Sequence, residues 1–390
     1  MTETSIARPL PFAFAFATAA LLAACGGGGG GTSAPPSNSG GGENCMNGPY
    51  GTTCTPTGTT FGGAGGDNYV ANTLMSDNTA TQALHHDTHL VNAWGLAFNP
   101  QGFSWIANAG TGTSTLYDGT GVAQSLVVTL NQGSPAGIVF NGTTDFSITE
   151  SGVSGAAPFI FATLQGQISA WAPTVDGTHA FTIVDNSTSG AVYTGLAIDT
   201  GSGGHMIYAA NFTKGKVDVF GGTFSPVTTA GGFTDPTLPA GYAPFGIQQI
   251  GGKVYVAYAQ PDPVTHEKVG AGLGLVDVFD LQGNLTQHLV GTGGALNAPW
   301  GLAMAPANFG KFSNMLLVGN FGDGKINVFD PTTGAMVGTV SNNDGSAIVV
   351  PGLWALQFGN GLNSQPTNTL FYTAGPGNEQ HGLYGRIDMN

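Results

Sequence analysis

Three asparagines stand at the same position of a repeated segment, and together they could bind a hard cation. They are Asn108 in WIANAGTG, Asn211 in YAANFTKG and Asn320 in LVGNFGDG. Asparagine at the entrance of a loop commonly caps its own turn, so the repetition is consistent with a repeated turn. If the side-chain carbonyl oxygens converge instead, they are of the type that Ca²⁺ binds in proteins. The sequence leaves both interpretations open.

Two glutamates in comparable loops could supply the negative charge that a Ca²⁺ site needs. Glu150 lies in ITESGV, and Glu379 lies with His381 in GPGNEQHG. Their spacing is not diagnostic, so they form a site only if the fold brings them together. The candidate metal ligands are Glu150, Asn211, Asn320 and Glu379, and Ca²⁺ is the cofactor that such oxygen ligands suit.

Three of the five tryptophans share one position in the repeat and could stack on a ligand. They are Trp94, Trp300 and Trp354, each the second residue of its copy. Aromatic side chains at this position can pack between neighbouring repeats, or they can form a platform for a ring-shaped ligand such as a sugar. Together with Asn108 and His381 they form the candidate ligand-binding set.

The remaining polar clusters match no catalytic pattern. The string HHDTH, residues 85–89, lacks the spacing of a zinc site, and we interpret it as a polar loop. GNFGDGKI, residues 319–326, imitates a phosphate loop, but a strand rather than a helix is expected to follow it. His266 and Glu267 lie in the insertion PDPVTHEKVGAG, which we interpret as a solvated loop. No GxSxG motif occurs, so any catalysis would use metal-activated water.

These residues belong to a pattern of short apolar strands that occurs six times. The copies begin at AWGLAF (Ala93), PAGIVF (Pro135), YTGLAI (Tyr193), PFGIQQI (Pro244), PWGLAM (Pro299) and LWALQF (Leu353). Their spacing of roughly 40 to 60 residues is near that of four-stranded propeller blades. β-Branched and aromatic strands such as VDVF fit sheets packed face to face. The sequence therefore predicts an all-β fold, a six-bladed β-propeller with four-stranded blades over residues 67–390.

The last copy lacks a fourth strand, because the chain ends after GLYGRIDM. An unassigned strand, NYVANTLMSD at residues 68–77, precedes the first copy. Since an unpaired edge strand is a liability, we expect this N-terminal strand to complete the sixth blade and close the ring.

The charge balance disfavours one class of partner. The chain has 8 Lys and Arg against 22 Asp and Glu, a formal net charge of -14. This is the wrong sign for a surface that neutralises phosphates, so we expect no nucleic-acid partner. The 65 glycines and the low charged fraction of 8% favour a loop-rich all-β protein over a helical one.

The N-terminus has the features of an export signal followed by a tether. Residues 1–24 combine Arg8 with the apolar run LPFAFAFATAALLAA, and Cys25 follows where bacterial lipoproteins carry the lipidated cysteine. In this lipoprotein interpretation, residues 25–66 are the lipidated Cys25 and a flexible linker rich in Gly, Ser and Pro. The alternative is an ordinary signal whose cysteine is incidental. In a bacterium with two membranes, the resemblance of Gly26 after the cysteine to lipoprotein sorting signals implies the outer membrane, facing the periplasm or the cell surface.

Two further cysteines, Cys45 and Cys54, are nine positions apart in this segment. In an exported protein such a pair favours a small disulfide loop. The alternative is two free thiols.

The stretch from about Leu90 to Gly382 resembles an uncharacterised family of exported bacterial proteins. The resemblance rests on LVNAWGLAFNP, GGFTDPTLPAGYAPFGIQ, PWGLAMAPANFGKFSN and AGPGNEQHGLYG. It implies an NHL-like propeller and no particular active-site residues. Two functions remain: a membrane-tethered binding module for a protein, glycan or small molecule, and a metal-dependent hydrolase or lactonase that holds Ca²⁺ in its central channel, similar in outline to six-bladed lactonases.

Overall fold

The chain folds as two units, Met1–Gly58 and Thr59–Asn390. The computed structural model describes residues 43–48, 51–56, 68–131, 133–201, 204–263 and 266–390. The predicted signal peptide (1–24), Cys25 and most of the predicted linker lie outside the described residues. Within these ranges, no helix has the length and apolar character needed to cross a membrane.

The first unit contains a β-hairpin formed by β1 (Glu43–Gly48) and β2 (Gly51–Pro56). The strands are antiparallel, and their register pairs Cys45 with Cys54. Directly paired residues of antiparallel strands have Cα atoms about 4.5 to 5.5 Å apart, which lies within the range that a disulfide spans. The register is thus compatible with the predicted disulfide.

We expect Cys45 and Cys54 to be joined under oxidising conditions, because the hairpin register already holds the two backbones at bridging distance. Peptide mapping without reductant should give a cross-linked species that is two hydrogen atoms lighter than the reduced one. Labelling of both thiols by iodoacetamide before reduction would contradict the prediction.

The strands of the second unit have the following bounds. The first twelve are β3 (Tyr69–Ser76), β4 (His85–His86), β5 (Ala93–Phe98), β6 (Ser104–Asn108), β7 (Thr113–Tyr117), β8 (Ala123–Leu130), β9 (Pro135–Phe140), β10 (Ser147–Glu150), β11 (Val153–Ala156), β12 (Phe159–Thr163), β13 (Gln167–Trp171) and β14 (His179–Asp185). The other fifteen are β15 (Tyr193–Asp199), β16 (Met206–Asn211), β17 (Lys216–Gly221), β18 (Ala243–Ile250), β19 (Lys253–Asp262), β20 (His266–Lys268), β21 (Leu275–Asp280), β22 (Leu285–Val290), β23 (Pro299–Met304), β24 (Leu316–Asn320), β25 (Ile326–Phe329), β26 (Met336–Thr339), β27 (Leu353–Phe358), β28 (Leu370–Ala374) and β29 (Leu383–Met389). Two short 3₁₀ helices span Ser187–Ser189 and Gly310–Phe312.

The sheets follow the six copies but do not separate into six four-stranded units. The first two copies form one eight-stranded sheet in the order β5-β6-β7-β8-β14-β13-β12-β9. The third copy forms β15-β16-β17, the fourth β18-β19-β21-β22 with β20 beside β19, and the fifth β23-β24-β25-β26. The sixth forms β27-β28-β29-β3-β4, and β10 and β11 make a separate hairpin. In the described ranges, four sheets therefore have four or more strands and one has three.

Two local causes account for this difference from the expected six separate sheets. The last strands of the first two copies, β8 and β14, pair in parallel at His179 with Thr129 and Ala180 with Leu130, which fuses the two sheets. In the third copy, the segment that follows β17 adds no fourth strand and makes only an isolated bridge between Phe220 and Pro226. Proline lacks the N–H that a regular ladder would need there.

The first strands of all six copies lie side by side. Contacts run from β5 to β9, β15, β18, β23 and β27 and back to β5, so the strands form a closed cycle. Their backbones approach closely because glycine recurs in the third position of the repeat. A Cβ atom on Gly246 would lie 2.1 Å from the carbonyl oxygen of Trp300, and one on Gly301 would lie 2.5 Å from that of Trp354. The repeated glycine is therefore explained by strand contact.

Apolar side chains fill the spaces between neighbouring sheets. On β21, Leu275 and Phe279 join a cluster shared with the sheet of the third copy, whereas Val276 and Val278 join one shared with the fifth. This alternation follows from the period of two in a strand. Both faces of the sheet are therefore buried, and the arrangement is all-β and propeller-like.

The N-terminal strand completes the last sheet, as predicted. β3 pairs antiparallel with β29 along its length, from Leu383 with Ser76 to Met389 with Tyr69. The Tyr69 hydroxyl donates a hydrogen bond of 3.0 Å to the carbonyl oxygen of Phe309 in the fifth copy. The two ends of the domain are thereby held in one sheet.

Candidate functional site

One end of the ring of first strands is filled by an aromatic cluster. Trp94 stacks on Trp354 with ring centroids 3.8 Å apart, and Phe321 stacks on Trp354 at 4.1 Å. Trp300 and Phe245 meet Trp354 edge-on at 6.0 and 5.9 Å. These residues come from four different copies of the repeat, so the cluster forms only when the ring closes. We call these five side chains the aromatic plug.

Two of the three tryptophans of the plug are held by hydrogen bonds across the ring, whereas Trp94 Nε1 has no hydrogen-bond partner among the described residues. Trp300 Nε1 donates to the carbonyl oxygen of Thr194 at 2.9 Å, and Trp354 Nε1 donates to Asn92 Oδ1 at 3.1 Å. Trp94 and Trp354 are fully buried, and Trp300 is partly buried. Trp94 and Trp354 thus leave no face for a stacked ligand in this structure. Of the two interpretations of the repeated tryptophans, the geometry matches packing rather than a stacking platform.

Asn108 and Asn211 bond within their own sheets, whereas Asn320 bonds to the loops that precede β23 and follow β24. Asn108 Nδ2 donates to Thr115 Oγ1 at 2.9 Å, and Asn211 Nδ2 donates to Asp218 Oδ2 at 2.7 Å. Asn320 Nδ2 donates to the Ala295 carbonyl oxygen at 2.9 Å and to Asp323 Oδ1 at 3.1 Å. Each side-chain amide therefore links its strand to an adjacent strand or loop of the same chain. No hydrogen bond among the described residues joins one of these asparagines to another.

Glu150 lies at the opposite end of the ring from the asparagines. It ends β10, in an exposed hairpin that follows the C-terminal end of the first strand β9. Asn211 and Asn320 pair with Tyr193 and Pro299, the first residues of their first strands. The expected set of Glu150, Asn211, Asn320 and Glu379 is therefore not brought together, because the fold places Glu150 beyond the far ends of the strands.

Glu379 and His381 lie beside the aromatic plug. Glu379 Oε2 accepts a hydrogen bond of 2.8 Å from Asn92 Nδ2, and Asn92 in turn accepts the indole N–H of Trp354. His381 Nδ1 lies 2.9 Å from Asp77 Oδ2, which ties the loop after β28 to the end of β3. Of the residues expected to bind metal, Glu379 is the one that reaches the plug through a chain of hydrogen bonds.

A second glutamate reaches the same end of the ring from the fourth copy. Residues Gln260–Asp262 of β19 pair with β20 to form a hairpin, which we call the flap. His266 and Lys268 of the flap are exposed, but Glu267 between them is only 2% exposed. Burial, together with the charge of Glu379, raises the pKa of Glu267 to about 8. The interpretation of this insertion as a solvated loop is wrong for Glu267.

The signal for Glu267 was present but not decisive. Successive side chains of a strand point to opposite faces, so if this insertion is a strand, Glu267 points away from the face that carries His266 and Lys268. The sequence does not show that this insertion is a strand, nor that it folds toward the sixth copy. Only the tertiary structure brings Glu267 close enough to Glu379 for the two charges to interact.

These three groups offer oxygen atoms at one end of the ring: Asn92 contacts Glu379, and the buried carboxyl of Glu267 is close enough to feel the charge of Glu379. We call Glu267, Glu379 and Asn92 the acidic mouth. Carboxylate and amide oxygens are the ligands that hard cations such as Ca²⁺ prefer. A buried carboxyl with a raised pKa beside a second carboxylate is also typical of functional sites, because neutralisation by a proton or a cation is then favourable.

Two concave regions lie elsewhere on the second unit. A cavity of about 230 Å³ opens between the C-terminal halves of the first strands and is lined in part by Gln248, Gln249 and Gln357. A groove of about 720 Å³ runs along β17 and includes Lys216 and Asp218. Lys216 Nζ lies 2.7 Å from Asp218 Oδ1, so these charges already compensate each other.

Comparison with known proteins finds viral relatives. The chain is 34% identical over 331 residues to uncharacterized protein R648 of Acanthamoeba polyphaga mimivirus, covering 81% of this chain and 79% of the relative. It is 33% identical over 303 residues to uncharacterized protein L690 of the same virus, covering 74% and 78%. No family model matches the chain. Membership of the exported bacterial family stays a prediction, because these relatives are viral.

Solved structures give weaker similarities. A chain of a nidogen/laminin complex is 14% identical, with a TM-score of 0.43, covering 68% of this chain and 82% of that chain. A glucose dehydrogenase is 13% identical, with a TM-score of 0.48, covering 82% and 100%. Neither similarity bears on function at this level, so the site must be interpreted from its own geometry.

Proposed function

The chain belongs to the family of the mimivirus proteins R648 and L690, and we propose that this member is an envelope-tethered β-propeller that binds Ca²⁺ at the acidic mouth and uses that face to bind a ligand. The observation that carries the proposal is the buried carboxyl of Glu267 beside the charge of Glu379. The ligand would be a protein, glycan or small molecule, and the net charge of -14 argues against nucleic acid.

We propose that the propeller has six blades. The eight-stranded sheet joins two four-stranded sets, β5–β8 and β9 with β12–β14, through the parallel pair of β8 and β14. If these sets are two blades, the closed cycle of six first strands gives one blade to each copy of the repeat. The site then lies at one mouth of the ring, where loops of the fourth and sixth blades meet.

The tether rests on the sequence. Residues 1–24 would direct export, Cys25 would carry the lipid, and the linker over 25–66 would hold the propeller away from the outer membrane. Mass spectrometry of the N-terminal peptide tests this part separately. An unmodified Cys25 in protein from the native host would remove the lipid anchor and leave the mouth unaffected.

We expect the full chain to bind one Ca²⁺ ion through Glu267 and Glu379. Substitution of either glutamate should weaken binding, because it removes a charged ligand. Calorimetric titration at pH 7.5 should show binding weakened at least about tenfold in Glu267→Gln and in Glu379→Gln. Because Glu267 must lose its proton to bind the ion, the measured heat should also depend on the ionisation enthalpy of the buffer.

Glu150→Gln is the matched control for this titration. It removes the same charge from an exposed hairpin at the other end of the ring and should leave Ca²⁺ binding unchanged. Equal affinity in wild type and in both mouth variants, or no Ca²⁺ binding at all, would overturn the proposed site.

A metal-dependent hydrolase or lactonase is the second candidate. It is favoured by the pKa of about 8 for Glu267, since a carboxyl that titrates near neutral pH can act as a general acid or base beside an activated water. A lactone hydrolysis assay before and after chelation separates the candidates. Chelator-sensitive turnover that is lost in Glu267→Gln would establish the enzyme, and Ca²⁺ binding without turnover would support the binding module.

A further inference from the structure

A second group of ligand-type side chains lies on the sheet of the fourth copy, away from the acidic mouth. Asp277 on β21 is the direct cross-strand partner of His288 on β22. Asp235 reaches the same point from the segment between β17 and β18. One oxygen or nitrogen atom from each of the three residues lies within 4.8 Å of the others. They come from two strands and a loop that only the fold brings together.

The histidine is held between the two carboxylates. His288 Nδ1 lies 3.0 Å from Asp277 Oδ1, and His288 Nε2 lies 3.3 Å from Asp235 Oδ1. The Thr237 hydroxyl is 2.8 Å from His288 Nε2 and donates to Asp235 Oδ1 at 2.9 Å. Thr237 therefore orients two of the three groups, as partners around metal ligands commonly do.

Asp277 occupies an unfavourable place for an isolated carboxylate. It alternates with Leu275 and Phe279 on the apolar face of β21, and its side chain is 1% exposed. Its Oδ2 atom has no hydrogen-bond partner in the part of the chain that the structure describes. A buried acceptor without a partner is costly, so this oxygen is suited to a ligand.

The charges of the group do not balance. Asp235 is partly buried as a residue although its side chain is only 1% exposed, so two largely shielded carboxylates share one imidazole. A single imidazolium neutralises one of them at most. Burial raises the pKa of Asp277 to about 6, and the neighbouring Asp235 adds to that rise while His288 opposes it. The group is therefore short of positive charge when both carboxylates are ionised.

We propose that Asp235, Asp277 and His288 form a binding site for a divalent transition-metal ion of the Zn²⁺ class. Carboxylate oxygens and an imidazole nitrogen are a ligand set that Zn²⁺ uses, and three protein ligands leave a fourth position for water. His288 is half-exposed, so solvent reaches the site from its side. This set contains nitrogen and differs from the oxygen-only acidic mouth, which favours a different cation.

The geometry needs only a small closure. Ligand atoms about 2.1 Å from a zinc ion lie no more than roughly 4 Å apart, which is close to the 4.8 Å within which one atom of each residue already lies. One ring nitrogen of His288 would exchange its contact with a carboxylate for the ion. Asp235 sits in a segment anchored to the same sheet by hydrogen bonds from Gly231 N to the Gln282 carbonyl oxygen at 2.9 Å and from Phe233 N to that of Gly283 at 3.0 Å. A bound ion would therefore fasten this segment to β21 and β22.

Zn²⁺ titration of the full chain tests the site. Loss of one ligand should weaken zinc binding at this site about 100-fold or more in Asp277→Asn and in His288→Gln. At zinc concentrations that just saturate the wild type, each variant should therefore bind one equivalent less. At a zinc concentration 100 times the dissociation constant, the wild-type Tm should rise by roughly 4 °C. Because Asn has nearly the shape of Asp and His288 is half-exposed, both variants are expected to fold.

Two controls separate this site from other zinc binding. His179→Gln removes an exposed histidine that lies 3.2 Å from a single carboxylate, Asp176, and should keep the extra equivalent. Glu267→Gln should keep it as well, so this test is independent of the acidic mouth. Equal zinc stoichiometry and affinity in wild type, Asp277→Asn and His288→Gln, or no zinc binding by wild type, would overturn the proposal.

Discussion

A chain that begins at residue 78, and so lacks β3, is expected to lose the stable fold of the second unit. β3 pairs with β29 along its length, and Tyr69, Leu74 and Met75 are each no more than 1% exposed. Removal would expose the β29 edge and open two apolar clusters at once. Since domains have only about 5 to 15 kcal/mol of stability, we expect insoluble protein or a Tm at least about 10 °C lower.

A chain that begins at residue 68 is the matched control for this truncation. It removes the first unit but keeps β3, so its Tm should equal that of the full chain. The milder substitution Leu74→Ala should cost about 3 kcal/mol, because Leu74 is fully buried among residues of the first and sixth copies. An unchanged Tm in the chain that begins at residue 78 would contradict the role of β3.

The stability of the protein is expected to fall as pH rises toward 8, and Glu267→Gln should remove that fall. Burial raises the folded-state pKa of Glu267 to about 8, whereas the unfolded value is near 4.5. Between these values the folded state holds a proton that the unfolded state has lost. Stability from this group is therefore full below pH 4.5 and is lost as pH rises through 8.

The window from pH 6 to pH 8 isolates this effect. The pKa of Asp277 is raised only to about 6, so most of its contribution of the same sign lies below that window, and the remainder is common to wild type and Glu267→Gln and cancels in the comparison. From pH 6 to 8 the wild-type free energy of unfolding, measured with urea in the absence of Ca²⁺, should fall by about 2 kcal/mol more than that of Glu267→Gln. The exposed Glu150→Gln should keep the wild-type slope, and parallel profiles for wild type and Glu267→Gln would refute the assignment.

The repeat predicted the strands that matter most for the fold. Its entry motif places a glycine where neighbouring first strands touch, as Gly246 and Gly301 show, and an aromatic residue where the centre must be filled. Both requirements are local and recur in sequence, so they are visible without a structure. The missing fourth strand of the last copy likewise predicted the pairing of β3 with β29.

The candidate site was less predictable, because repetition does not report direction or distance. Asn108, Asn211 and Asn320 do share one position, but each bonds to its own sheet or to an adjoining loop rather than to a common centre. Glu150 lies beyond the C-terminal end of β9, whereas the asparagines lie at the other end of the ring. Glu267, in contrast, lies in an insertion that occurs in one copy only, so the repeat pattern carried no information about it.

Three properties follow from the amino-acid sequence alone: short strands recur six times, the chain is acidic, and the last sheet needs β3 to complete it. These are properties of local spacing and composition, which one chain carries along its length. The tertiary structure is what fuses two sheets through β8 and β14, stacks Trp94 on Trp354, and brings Glu267 within range of the charge of Glu379. It also brought Asp235, Asp277 and His288 together. Burial and charge depend on which distant residues become neighbours, so these features exist only once the ring of strands has closed.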